Sequence, residues 1–272
     1  MIGGGLRREA PGEGLTRDWR RWWIAAVALA PFVVASVYMS TKPVPTKIPR
    51  SHGGSAAEFS TNPYRVAPGF RATRAGQHMG TDWRIELVAG GREAAEAALD
   101  AAFAEVELVE ARISEWRPSS EISQVNAAAG SAVTVSKDTF ALVSLARELA
   151  AETGGSFDPS FRPLSLVWRI EDGEPRVEVP PDEEIEAARA VVGFRRIQLD
   201  PAASTVRLES EGMSLGMGGI GKGWAAARVG DVLRGRGVHR FLIDAGGDVL
   251  VGDGPAAGEG WRVAIAGPGG ET

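Results

Sequence analysis

The stretch Ser214-Leu-Gly-Met-Gly-Gly-Ile-Gly-Lys-Gly-Trp-Ala-Ala-Ala-Arg228 carries five glycines and one lysine between Gly216 and Gly223. Backbone so rich in glycine can lay successive N–H groups against an anion, and Lys222 adds a fixed positive charge. Three readings are open at this point. Gly216-x-Gly218-x-x-Gly221 fits the dinucleotide fingerprint, with Asp244, at the end of the apolar run Phe241-Leu242-Ile243, as its ribose contact. However, Ala245-Gly246-Gly247 behind that aspartate does not start a helix, as such a fold requires. Gly216-x-x-x-x-Gly221-Lys222 fits a P-loop up to its last position, where Gly223 stands in place of the magnesium-binding hydroxyl. The third reading is a tight turn from strand to helix.

On either side of this run, helices and strands are mixed without strict βαβ alternation, which predicts an α+β fold. Downstream, a helix is expected from Lys222 to Arg234, then strands at Arg240–Asp244, Asp248–Val251 and Trp261–Ile265. Upstream, Arg196–Leu199 and Thr205–Leu208 flank a turn-rich Asp200-Pro201-Ala202-Ala203-Ser204 and read as a hairpin. Short helical spacing marks Asp182 to Val192. Ser136 is an N-cap for a helix that ends before Gly154. Leu99, Phe103, Val106, Val109 and Ile113 recur at helical spacing from Arg92 to Ile113, behind an alternating strand with Trp83, Ile85 and Leu87.

The N-terminus is of another kind. Trp22 to Thr41 are twenty consecutive uncharged residues, which as a helix span about 30 Å, the thickness of a bilayer core. Arg17, Arg20 and Arg21 precede the run, so the positive-inside rule retains residues 1–21 in the cytoplasm and exports the chain beyond Thr41. A single-pass anchor in a bacterial inner membrane, with a periplasmic domain, is expected; a cleaved signal peptide ending near Ala35 and Ser36 is the competing reading. Lys42 to Gly76, rich in Pro, Gly, Ser and Thr, reads as a tether to a domain at 77–272. Residues 51–272 carry 22 Lys and Arg against 32 Asp and Glu, net −10. Such a domain has no global attraction for nucleic acid, so an anionic ligand needs local donors. The chain has no cysteine, and His52, His78 and His239 show no metal-ligand spacing.

Three further segments stand out. His78-Met79-Gly80-Thr81 opens the predicted first strand. Ser114 to Asn126 is a polar loop whose Trp116 could stack on a flat ring, although a lone Trp is more often structural. In Thr153 to Trp168 a double glycine delivers Phe157 and Asp158 into a loop at Pro159, where an Asp commonly serves the turn itself.

Taken in order, five motifs resemble the ApbE family of flavin transferases from Met79 to the end of the chain. They are Met79-Gly80-Thr81, Ser114-x-Trp116-x-Pro118-x-Ser120-Glu121-Ile122-Ser123-x-x-Asn126, Gly154-Gly155-Ser156-Phe157-Asp158-Pro159 with Pro163-Leu164-x-x-x-Trp168, Gly218-Gly219-Ile220-Gly221-Lys222-Gly223, and Asp244-Ala245-Gly246-Gly247-Asp248. The resemblance implies a magnesium-dependent, exported FAD:protein FMN transferase. Such an enzyme cleaves the FAD pyrophosphate and attaches FMN through a phosphoester to a Thr or Ser of an acceptor protein, for example a flavin-bearing subunit of a membrane redox pump. It also implies that Met79 and Trp116 contact the flavin nucleotide and that Ser156, Phe157 and Asp158 line the FAD pocket. Lys222 would face the phosphates as the catalytic residue, and the Gly219 carbonyl would be a ligand of Mg²⁺. The family pattern has acidic residues at the positions of Gly216 and Ala227. It also continues beyond Ile265 with a His-x-x-Asp-Pro segment and an Asp/Thr pair that supplies metal ligands. A C-terminally incomplete domain with impaired transfer is therefore expected, and the alternative is a non-catalytic FAD-binding or accessory protein.

Overall fold

The computed structural model describes residues 69–170, 176, 178–256 and 258–264. The apolar run at residues 22–41 lies outside them, and no helix among the described residues is long and apolar enough to cross a membrane. The framework is two antiparallel sheets with helices packed on them. β1 (Phe70–His78), β2 (Thr81–Ala89), β6 (Arg240–Ala245) and β7 (Asp248–Val251) form the first sheet, in the order β1-β2-β6-β7. The second sheet is smaller, with β5 (Thr205–Leu208) between β3 (Ala132–Thr134) and β4 (Ile197–Asp200).

α1 (Arg92–Ile113) and α6 (Gly221–Gly235) pack on each other and cover one face of the larger sheet. The stripe Leu99, Phe103, Val106, Val109 and Ile113 is buried, as are Trp83, Ile85 and Leu87, which face it from β2. α3 (Lys137–Glu152) covers the smaller sheet. Its N-cap is Ser136, whose hydroxyl accepts the Thr139 N–H at 3.2 Å. α2 (Glu121–Ala127) joins the two halves by touching α1, β3 and β5, while α4 (Arg162–Trp168) and α5 (Asp182–Ala190) pack together at the side.

Four segments depart from the sequence reading. β1 occupies the end of the stretch read as a tether, because its inward positions are Phe70, Ala72, Arg74, Gly76 and His78, too few of them apolar to show as alternation. The space at Gly76 is tight: a Cβ would lie 3.0 Å from His78 Nε2 and 3.2 Å from the Phe103 ring. Arg74 instead ties β1 to α1 through Asp100 at 2.6 Å and Glu96 at 2.9 Å. The hydrogen bond to Asp100 raises its pKa further above the usual arginine value, so the tie stays charged. The loops read at 114–126 and 153–168 each contain a seven-residue helix, α2 and α4. The strand expected at Trp261–Ile265 is not formed over residues 261–264, where Trp261 Nε1 donates to the Asp253 carbonyl at 2.8 Å in irregular chain.

Candidate active site

Met79 and Gly80 are the two central residues of the β1–β2 hairpin, between paired His78 and Thr81, with φ of 51° and 72°. Two consecutive positive φ values define the type I′ turn, which matches the twist of the strands but is unfavourable for a methionine. The strained turn carries the Met79 side chain over the start of α6, within 3.4 Å of where a Cβ on Gly221 would lie. Gly246 and Gly247, at 65° and 95°, make the same kind of turn between β6 and β7. A Cβ on Gly246 would meet Thr81 Oγ1 at 2.2 Å, so the two hairpin turns touch.

The glycine run lies beside them. Its first glycine is held by Gly216 N–H donating to the Pro159 carbonyl at 2.8 Å, and Ile220 and Gly221 N–H both turn back to the Met217 carbonyl. The N–H groups of Gly218, Gly219, Lys222 and Gly223 have no carbonyl partner among the described residues. They collect at the N-terminus of α6, where unpaired N–H groups and the helix dipole favour an anion. Lys222 adds its ammonium, 3.7 Å from Asp248 and about a quarter exposed.

These parts border one cavity of about 190 Å³, lined by Met79, Glu110, Ser114, Glu115, Trp116, Met217, Gly218 and Lys222 among others. Trp116 is 60% exposed, and the Arg162 guanidinium carbon lies 5.9 Å from its ring centroid. The serine-rich segment behind it is scaffold. Ser120 Oγ donates to the Ser114 carbonyl at 2.5 Å and caps α2 by accepting Ser123 N–H at 3.0 Å. Glu121 accepts from the Ser136 N–H and hydroxyl. Asn126 grips the irregular segment leading into the glycine run, donating to the Leu215 carbonyl at 3.0 Å and accepting its N–H at 2.7 Å.

Of the residues singled out in the sequence, Met79, Trp116 and Lys222 meet at the cavity. Gly219 sits over the Phe157 ring, 3.2 Å from where its Cβ would be, so Phe157 supports the run from beneath. Ser156 is exposed and lies off the cavity. Asp158 does not line it either: its carboxylate accepts the Ser160 N–H at 2.8 Å, the Ser160 hydroxyl at 2.6 Å and the Phe194 N–H at 3.0 Å. Asp244 accepts the Gly247 N–H at 2.9 Å and so closes a hairpin turn. In an all-antiparallel sheet β6 is not the second strand of a βαβ unit, which removes the dinucleotide reading. Sequence reasoning gave no role to Glu115, Arg162 or Asn126. Only Asn126, inside a quoted motif, left a signal.

The family model of the ApbE family matches residues 79–272. The chain is 27% identical over 218 residues to the FAD:protein FMN transferase of Klebsiella pneumoniae (strain 342), covering 79% of this chain and 62% of the relative. It is 32% identical over 186 residues to that of Treponema pallidum (strain Nichols), covering 65% and 51%. It thus spans less than two thirds of the length of either. Among solved structures it resembles the flavin transferase ApbE from Vibrio cholerae, with a TM-score of 0.67, 25% identity and coverage of 74% of this chain and 65% of that one. The apo flavinyl transferase ApbE of Pseudomonas stutzeri is matched at a TM-score of 0.67 and 26% identity, over 74% and 67%. With the family model covering every strand but β1 and the whole cavity lining, this chain belongs to the ApbE family.

Proposed function

We propose that this chain acts as an FAD:protein FMN transferase, taking FAD as substrate and attaching FMN to a Thr or Ser of an acceptor protein. The observation that carries the reading is the convergence of Met79, Trp116, Gly218 and Lys222 on one cavity. Those residues come from three separate parts of the chain. Trp116 offers an exposed aromatic face for the isoalloxazine ring. The glycine run and Lys222 suit the pyrophosphate, and a charge held at this position stabilises the phosphate that leaves as AMP departs. The acceptor hydroxyl attacks the phosphorus next to riboflavin, the P–O bond to AMP breaks, and the hydroxyl proton leaves with solvent. The names of the matched relatives support the same reaction class.

Mg²⁺ belongs to the proposal by resemblance only. Among the described residues no group of three or more His, Asp or Glu could hold a metal ion. The Gly219 carbonyl does not make an octahedral oxygen shell by itself. The uncharged run at residues 22–41 behind three arginines supports an inner-membrane anchor with the domain in the periplasm, close to a membrane redox-pump subunit as acceptor.

The test is to incubate the chain with FAD, Mg²⁺ and a Thr-bearing acceptor protein and to look for flavin fluorescence on the acceptor in a denaturing gel. Labelled acceptor is the expected result. FAD binding without any labelling would favour the accessory-protein reading.

A further inference from the structure

Glu115 lies one residue before Trp116 and its side chain is only 10% exposed, as is 15% of Arg162. Its carboxylate accepts the backbone N–H of Met217, inside the glycine run, and pairs with Arg162 Nε at 3.4 Å. The Arg162 guanidinium in turn lies against the Trp116 ring, 5.9 Å from its centroid. Three segments far apart in sequence, the end of α1, the start of α4 and the run before α6, are thereby joined through one acid. The room beside Gly216 is filled by the same pair: a Cβ there would lie 3.4 Å from Arg162 Cβ and 3.8 Å from Glu115 Oε1.

We propose that the Glu115–Arg162 pair is a positioning device that sets the Trp116 ring and the glycine run in register, so that the ring end and the phosphate end of one flavin nucleotide are held together. The inference rests on the flavin-nucleotide reading of the cavity. A charge buried to this degree is costly unless paired and hydrogen-bonded; for Glu115 the pairing comes from Arg162 and the hydrogen bond from the N–H of Met217, which lines the cavity beside it. Glu115 takes an N–H of the run out of play, and leaves those of Gly218 and Gly219 to face a ligand. Arg162 backs one face of the indole and leaves the other open. Neither residue touches the reacting atoms, so both act through Trp116 and the run.

The experiment measures FAD affinity by titration, alongside the thermal midpoint, for the unaltered chain and for Glu115→Gln, Glu115→Ala, Trp116→Ala and the double variant Glu115→Ala/Trp116→Ala. Glu115→Gln keeps an oxygen for the Met217 N–H but lacks the charge for Arg162. The expected result is a loss of about tenfold or more in affinity for Glu115→Ala, with Glu115→Gln in between. The double variant should lose less than the product of the two single losses, because Glu115 acts in part through the indole. A purely structural role would lower the midpoint and leave affinity of the folded fraction, and the coupling with Trp116, unmoved. Unchanged affinity in Glu115→Ala, or losses that simply multiply, would overturn the positioning role while the flavin reading stood. Absence of FAD binding by the unaltered chain would overturn the flavin reading and this inference with it.

Discussion

Asp158→Ala separates a residue that builds the pocket from one that touches the ligand. The Asp158 carboxylate accepts three hydrogen bonds, from the Ser160 N–H, the Ser160 hydroxyl and the Phe194 N–H, and Ser160 is completely buried. Hydrogen bonds to a charged acceptor are worth about 1.5–3 kcal/mol each, and donors left without a partner in a buried place add their own cost. Asp158 is itself half-buried, so water recovers part of the loss. A net destabilisation of about 3–5 kcal/mol remains, equivalent to a fall in Tm of roughly 6–20 °C for a domain of this size. Urea unfolding followed by tryptophan fluorescence measures it, with Asp158→Asn as the graded companion, since one oxygen and its lone pairs survive. FAD affinity measured on the folded fraction should fall only slightly, because the carboxylate faces Ser160 and Phe194. A stability change under about 1 kcal/mol together with lost FAD binding would refute the reasoning, and would place the carboxylate on the ligand.

Lys222→Ala is expected to weaken FAD binding by about 1.5–3 kcal/mol, the worth of a charge-assisted partner for the pyrophosphate. It should barely alter stability, because its pair with Asp248 is partly exposed. Unchanged affinity by titration would reduce the glycine run to a turn. Gly246→Ala is expected to destabilise the fold by more than about 1 kcal/mol, since φ is +65° and the new Cβ would meet Thr81 Oγ1 at 2.2 Å. The added variant Thr81→Gly should recover part of that loss in urea unfolding; no recovery would locate the strain in φ alone. Trp83→Phe is expected to cost less than about 2 kcal/mol, because the buried indole N–H has no acceptor among the described residues to lose. A larger drop in the urea midpoint would reveal an acceptor not yet recognised.

Elements with a strong periodic signal were legible in the sequence. The α1 stripe, the Ser136 cap and the 197–208 hairpin appear within a residue or two of where spacing puts them. β1 was hidden because its inward face uses glycine, alanine and a paired arginine where a strand is ordinarily recognised by aliphatic residues. α2 and α4 were hidden because seven residues give too few turns to establish a helical period. At the site, Met79, Trp116 and Lys222 were found because family motifs point at them. Glu115 and Arg162 were not, since their meaning lies in a contact across 47 positions of chain that no local pattern records. The glycine run shows the opposite limit. Its local pattern fitted three structures, the P-loop only up to Gly223, and the antiparallel pairing of β2 with β6 was needed to remove the dinucleotide reading.

That pairing also governs how the chain must come together. Ile85 sits opposite Ile243, so the centre of the larger sheet joins strands made at opposite ends of the domain, whereas the smaller sheet and its helices lie wholly in between. Closing so long a loop is entropically slow, while hairpins such as β4–β5 form locally. During synthesis β2 therefore emerges with one edge satisfied by β1 and the other bare until β6 arrives, and a bare edge recruits any strand it meets. In refolding, β2 amides that face β6 should gain protection from hydrogen exchange last, together with those of α6. The cavity, which lies between the β1–β2 turn, the end of α1 and the start of α6, is complete only once α6 has docked against α1.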